Sequence, residues 1–317
     1  MVALGHCTPA NNDPSITSSG WIWFTSNFIS SFDMPLFMFF SGFLFGLSSE
    51  KKELHYSSFM QQRAIKMLIP FFVLGTIGYF LKLGLSQFAV RPVSFSWDSF
   101  LDGFLIPWHN PVIYLWFLPT LFIIYGILFF MKYLPKNAVI RWVLAPLIII
   151  NVLQPGANIY WLNINFVIKY MVYFALGFAF YGIRNRFQFL NNIPFLIVAF
   201  ILFVLLNLLP AREALNNFLT DKAGDFILAV FGILVSLSLG HLLARPSFNF
   251  LKIYDGLYFC SYLLSWFIIT GAKLGYQRLW YGQVVTVILI IIGVLTIPLL
   301  AKKYITQSWA KTILGLS

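Results

Sequence analysis

The sequence predicts an all-α, polytopic membrane helix bundle of about ten transmembrane helices. Three observations carry that prediction. Only 10% of the 317 residues are charged while 60% are hydrophobic, whereas soluble domains carry roughly a quarter charged residues. Apolar runs recur along the whole chain, most of them near the length of about 20 residues that crosses a bilayer as a helix. The runs are apolar on every face, so they lack the period-two alternation of β-barrel strands.

Nine complete runs follow one another at about 21–47, 67–85, 115–134, 139–153, 165–183, 193–209, 226–243, 256–274 and 282–300. The fourth is short and leaves room for an earlier start. The residues before His6 would form the end of a further helix. No segment between runs is long enough to hold a soluble domain, so residues 1–317 are expected to form one integral membrane domain. The two cysteines, Cys7 and Cys260, make neither a disulfide framework nor a metal site.

Charge sets the orientation. Alternating the loops places 14 of the 21 Lys and Arg residues on one side, among them Lys51, Arg63, Lys66, Lys132, Arg184 and Lys302. Basic loops stay in the cytoplasm. The 50–66 loop and the C-terminus are therefore expected there, and the loops around 86–114, 154–164, 210–225 and 275–281 outside. The net charge of +11 is spread over short loops, and no basic recognition helix appears, which argues against a nucleic-acid partner.

Few residues in this apolar chain can do chemistry. His6 is the first: a neutral imidazole can take a proton from an attacking hydroxyl or accept an acyl group. The alternative is an interfacial histidine bonded to a neighbouring helix. Arg63 and Lys66 are three apart, hence on one helical face, just before Met67-Leu68-Ile69-Pro70. An arginine fork and a lysine point charge there suit phosphates. Plain topology would also put basic residues at such a helix end. Asp33 lies in an apolar stretch two residues before Pro35, which should bend the helix. It is either functional, as ionisable groups in spanning segments often are, or seated at the outer interface.

The outer loop Ile106-Pro107-Trp108-His109-Asn110-Pro111 leads into Tyr114-Leu115-Trp116-Phe117-Leu118-Pro119. His109, Tyr114 and Trp116 are candidates for an acceptor site or cavity, and Trp and Tyr are also common interface anchors. Ser41-Gly42 reads as a close helix-packing point. No metal, nucleotide or serine-hydrolase motif is present in the sequence.

Taken together, Leu4-Gly5-His6, Met34-Pro35-Leu36-Phe37 with Ser41-Gly42-Phe43, Arg63-Ala64-Ile65-Lys66 before Leu68-Ile69-Pro70, and Trp116-Phe117-Leu118 resemble the acyltransferase 3 family. Ser261-Tyr262-Leu263-Leu264-Ser265 is similar to its penultimate helix. Two departures stand out: Lys66 replaces a usual second arginine, and Ser265 stands where many members have histidine. The family usually has a basic residue about ten positions before the histidine. Here His6 is preceded by five residues, so the first helix is expected to be truncated. With its missing half restored, the bundle would have ten helices and two cytoplasmic termini.

The resemblance implies a plasma (bacterial-type inner) membrane enzyme that transfers acyl groups other than aminoacyl groups. The donor would be a cytoplasmic acyl-CoA, commonly acetyl-CoA, gripped by Arg63 and Lys66, with His6 as the catalytic group. The acceptor would be a hydroxyl of a cell-surface carbohydrate or lipid-linked glycan, as in O-acetylation of a polysaccharide. No bound cofactor is implied, and the remaining partners are membrane lipids. Two other readings stay open: a transporter or exporter of glycans or lipid intermediates, and an inactive truncated homologue.

Overall fold

The computed structural model describes residues 28–51, 53–88, 94–153, 159–208, 221–244, 252–279 and 283–316. Among them every regular element is a helix. In chain order these are α1 (Asp33–Lys51), α2 (Tyr56–Gly84), α3 (Trp97–Leu105), α4 (Phe117–Leu128), α5 (Ala145–Leu153), α6 (Ile164–Ile183), α7 (Ile193–Asn207), α8 (Asp221–Leu243), α9 (Tyr258–Leu279), α10 (Gln283–Tyr304) and α11 (Ser308–Ile313). Counting the turns that extend them, seven helical segments among the described residues are long and apolar enough to cross a membrane. Ile193–Asn207 and Tyr258–Ala272 are shorter apolar helices. The all-α polytopic bundle is thus the observed architecture.

Each predicted run, as far as it is described, is helical, and the differences lie at the ends. Helix α2 starts at Tyr56, well before the apolar run begins at Met67. Hydropathy marks where lipid begins, while backbone hydrogen bonds let the helix continue through Gln61-Gln62-Arg63. The fourth run does start earlier: a helical turn Lys136–Ala138 and a π-helical stretch Val139–Leu144 lead without a break into α5. The 86–114 connection is not a bare loop. It holds α3, whose Trp97, Phe100, Leu101, Phe104 and Leu105 recur at helical spacing. Phe104 packs against Phe71 and Phe100 against Tyr79, while Trp97 and Leu101 stay exposed. A short helix of this kind suits a membrane interface.

The chain is helical over Phe28–Ser30, breaks at Ser31–Phe32, and resumes as α1. Pro35 is the cause. It has no N–H to offer the Ser31 carbonyl four residues back, and its ring crowds that carbonyl.

Helix α6 is the principal neighbour of α1, and glycine makes the approach possible. A Cβ at Gly42 would sit 1.9 Å from the Phe174 carbonyl oxygen, and one at Gly177 1.9 Å from the Phe39 carbonyl oxygen. The two backbones therefore touch, as small residues permit between helices in lipid. This agrees with the packing role read for Ser41-Gly42. The two helices run parallel, with Gly46 beside Tyr181 and Glu50 beside Arg184. Phe39, Phe45, Leu118, Ile124 and Phe174 fill the core between α1, α4 and α6.

Candidate functional site

Three groups of polar side chains lie along the bundle. The first is basic. Arg63 on α2 is half-buried, and its guanidinium carbon lies 4.5 Å from the Tyr125 ring centroid and 4.9 Å from that of Phe59. Guanidinium is weakly hydrated and stacks on aromatic faces, so the two rings hold it at a fixed place. Tyr125 is fixed in turn, donating its hydroxyl to the Ser41 carbonyl at 3.4 Å. Lys66 remains exposed on the same helix. A third cation joins them. Lys132 donates to the Leu54 carbonyl, and its ammonium lies 4.4 Å from the Phe129 ring centroid. Phe129 and Phe59 are 5.3 Å apart, so Lys132 and Arg63 flank one aromatic cluster. In the sequence Lys132 reads only as a loop charge, because nothing local links it to Arg63.

The second group surrounds Asp33, which is 6% exposed. Its Oδ1 accepts the Met34 N–H at 2.6 Å, and the carboxyl lies within electrostatic range of Tyr170 on α6 and Tyr262 on α9. Asp33 is therefore inside the bundle rather than at its surface. Tyr262 donates to the Tyr114 carbonyl, so the Tyr114 backbone is a structural tie. The Tyr114 side chain is itself buried. Ser265 donates to the Tyr262 carbonyl at 2.6 Å.

The third group is the turn before α4. His109 Nδ1 lies 2.5 Å from Asp102 Oδ2, with both side chains about half exposed. A carboxylate only accepts, so Nδ1 carries the hydrogen and Nε2 faces outward. Asn110 is buried and holds the turn: its Oδ1 accepts the Val112 N–H at 2.9 Å and its Nδ2 donates to the Gly103 carbonyl at 3.2 Å. Trp108, 42% exposed, starts a ladder of rings. Phe166 lies 5.1 Å from Trp108 and 4.5 Å from Trp116, and Trp116 lies 5.6 Å from Tyr170. Trp116 is fixed through its carbonyl, which accepts from Thr120 at 2.8 Å and from Asn163 at 3.1 Å. Asn163 reaches it from a left-handed backbone (φ 57), a conformation Asn tolerates better than most residues.

The ladder connects the exposed His109 turn to the buried surroundings of Asp33. It joins the His109 turn and Trp116 to Tyr170, on which the Asp33 carboxyl acts electrostatically, and leaves Arg63, Lys66 and Lys132 in another region. Asp102 was not among the sequence candidates. Its seven-residue spacing from His109 crosses a helix end and a turn, so no periodic pattern marks it. His6 and Cys7 lie outside the described residues. Among the described residues no cluster of His, Cys, Asp or Glu could hold a metal ion.

A family model for the acyltransferase 3 type of acyltransferase domain matches residues 1–303. No curated protein and no solved structure gives a significant match. An integral membrane bundle matched by that model over all but its last residues supports acyltransferase activity, and the chain belongs to the acyltransferase 3 family.

Proposed function

We propose that the protein transfers an acyl group, acetyl by preference, from cytoplasmic acyl-CoA to a hydroxyl of a carbohydrate or lipid-linked glycan on the opposite side of a plasma membrane. The observation that carries this reading is the separation of two chemically distinct regions within a family-matched bundle. Arg63, Lys66 and Lys132 gather at one end, and a half-exposed His–Asp pair beside an aromatic ladder lies elsewhere. The positive-inside rule assigns the first region, and the C-terminus, to the cytoplasm, where acyl-CoA is found.

In this reading Arg63 supplies a planar fork and the two lysines point charges for the phosphates of CoA. The acceptor lies against Trp108, whose ring suits the apolar face of a sugar while Asp102 and His109 meet its hydroxyls. The hydroxyl oxygen attacks the thioester carbonyl, a C–O bond forms, and the C–S bond breaks. The hydroxyl proton passes to a base and ends on the departing CoA sulfur. His6 takes that proton, or carries the acyl group between the two regions in two such exchanges.

Radiolabelled acetyl-CoA tests the reading. A deletion strain complemented with the wild-type chain should incorporate label into surface glycan, and His6→Ala should abolish it at equal expression. Undiminished label with His6→Ala would remove the histidine from the mechanism. Label unaffected by the deletion would refute the activity.

A further inference from the structure

A cavity of about 520 Å³ lies between α1, α6 and α8, beneath the turns Arg184–Arg186 and Gln188–Asn191. Its wall is apolar, formed by Phe40 and Phe43 of α1, Phe180 of α6, Leu190 and Leu237. Its rim is polar, with Arg184, Asn191 and His241. Three parallel helices end here: Lys51 closes α1, Arg184 follows α6, and His241 lies in the last turn of α8. Cationic side chains are favoured at helix C-termini, so the rim is basic for a local reason. Against Arg184 stands Glu50, which accepts from Tyr181 and lies 3.8 Å from the Arg184 guanidinium. That ion pair is largely exposed and therefore weak. One Arg184 nitrogen donates to the Tyr181 carbonyl at 2.7 Å, which leaves other donors of the five for a ligand.

The cavity is separate from the Arg63 region. At about 100° per residue, Phe40 and Phe43 point away from the α1 face that carries Ser41 and Phe45. That second face meets Tyr125 and Phe59, on which Arg63 lies. The mouth is also distinctive. Phe40 lines the cavity yet is 39% exposed, and Leu44, one turn on, is 53% exposed. The apolar wall thus continues onto the outer, lipid-facing surface of the bundle, so an occupant enters sideways from the bilayer. The volume falls within the range of about 300–1,000 Å³ typical of small-ligand sites.

We propose that this cavity binds an anionic phospholipid of the cytoplasmic leaflet, with an acyl chain along Phe40, Phe43 and Phe180 and its phosphate at Arg184 and His241. Arg186, exposed in the same turn, adds long-range attraction. Charge complementarity selects the headgroup, since each basic residue near a membrane surface attracts anionic lipid.

The test is native mass spectrometry of the full chain in neutral detergent, incubated with equal amounts of phosphatidylglycerol and phosphatidylcholine. The wild-type chain should retain phosphatidylglycerol in preference. Gly240→Trp fills the cavity from a position where an added Cβ meets nothing within 4 Å, and it should remove the retained lipid. Arg184→Gln should keep lipid but lower the headgroup preference about fivefold. Equal retention of the two lipids by the wild-type chain would overturn the proposal, as would an unchanged preference in Gly240→Trp. If Gly240→Trp does not fold, an unchanged preference in the exposed-site variant Arg184→Gln overturns it alone. If added palmitoyl-CoA displaces phosphatidylglycerol from the wild-type chain and Gly240→Trp lowers palmitoyl-CoA retention as well, the cavity belongs to the acyl donor and the proposal is overturned. None of these readouts depends on acyl transfer.

Discussion

Asp102 and His109 meet at 2.5 Å across the end of α3 and the turn that follows it. The pair engages the imidazole Nδ1 and leaves Nε2 out of the bond, one residue along the chain from the exposed Trp108. Because both groups are about half exposed, the pair adds little to stability, in the range of about 0–1 kcal/mol. Its value lies in holding one imidazole tautomer. Asp102→Asn should therefore leave thermal unfolding nearly unchanged while weakening acceptor use. His109→Ala should raise the KM for the glycan acceptor about tenfold, the cost of about one hydrogen bond to a substrate hydroxyl. A loss of turnover of about 10²-fold at saturating acceptor would instead make the imidazole a proton-transfer group. In the double variant the losses should not add.

Arg63 is held on two aromatic rings, and Lys66 is not. Arg63→Lys keeps the charge but loses the planar fork. We expect the KM for acyl-CoA to rise about tenfold or more, with Lys66→Ala costing less. Tyr125→Phe retains the ring beneath Arg63 and removes the hydroxyl bonded to Ser41. It should disturb the donor KM far less than Tyr125→Ala. Equal effects from the two Tyr125 variants would show that the ring does not position the arginine.

Asp33 tests whether a buried charge serves catalysis. Asp33→Asn preserves an acceptor for the Met34 N–H and removes the carboxylate. Folding, followed by size-exclusion profile and thermal unfolding, should be retained. Turnover should fall at least about tenfold, the equivalent of 1.4 kcal/mol in barrier. Full activity in Asp33→Asn would leave the carboxylate without a chemical role.

Gly177 tests the fold itself. An alanine methyl there would lie 1.9 Å from the Phe39 carbonyl oxygen, so α1 and α6 must separate. Overpacking of this kind costs about 1–3 kcal/mol. Gly177→Ala should lower the unfolding temperature in detergent, and Gly177→Leu should prevent recovery of monodisperse protein. Gly240→Ala, where the new methyl has open space, should do neither.

The helices were legible in the sequence because a bilayer leaves a backbone no other way to satisfy its hydrogen bonds. The break at Ser31–Phe32 was legible from Pro35, since a missing N–H acts locally whatever surrounds it. The family motifs carried Arg63 and Trp116 because those residues sit within short runs of fixed spacing, and Asp33 stood out as an ionisable group in an apolar stretch. Tertiary structure alone set the partners. Tyr125 beneath Arg63, Lys132 on the far side of Phe59 and Phe129, and Tyr262 at the Tyr114 carbonyl lie tens of residues or more from what they touch. In lipid, burial gives little guidance on which apolar face meets which, since lipid tails are as apolar as leucine. Close contact at Gly42 and Gly177, together with a few hydrogen bonds, fixes that choice, and with it which polar groups come together.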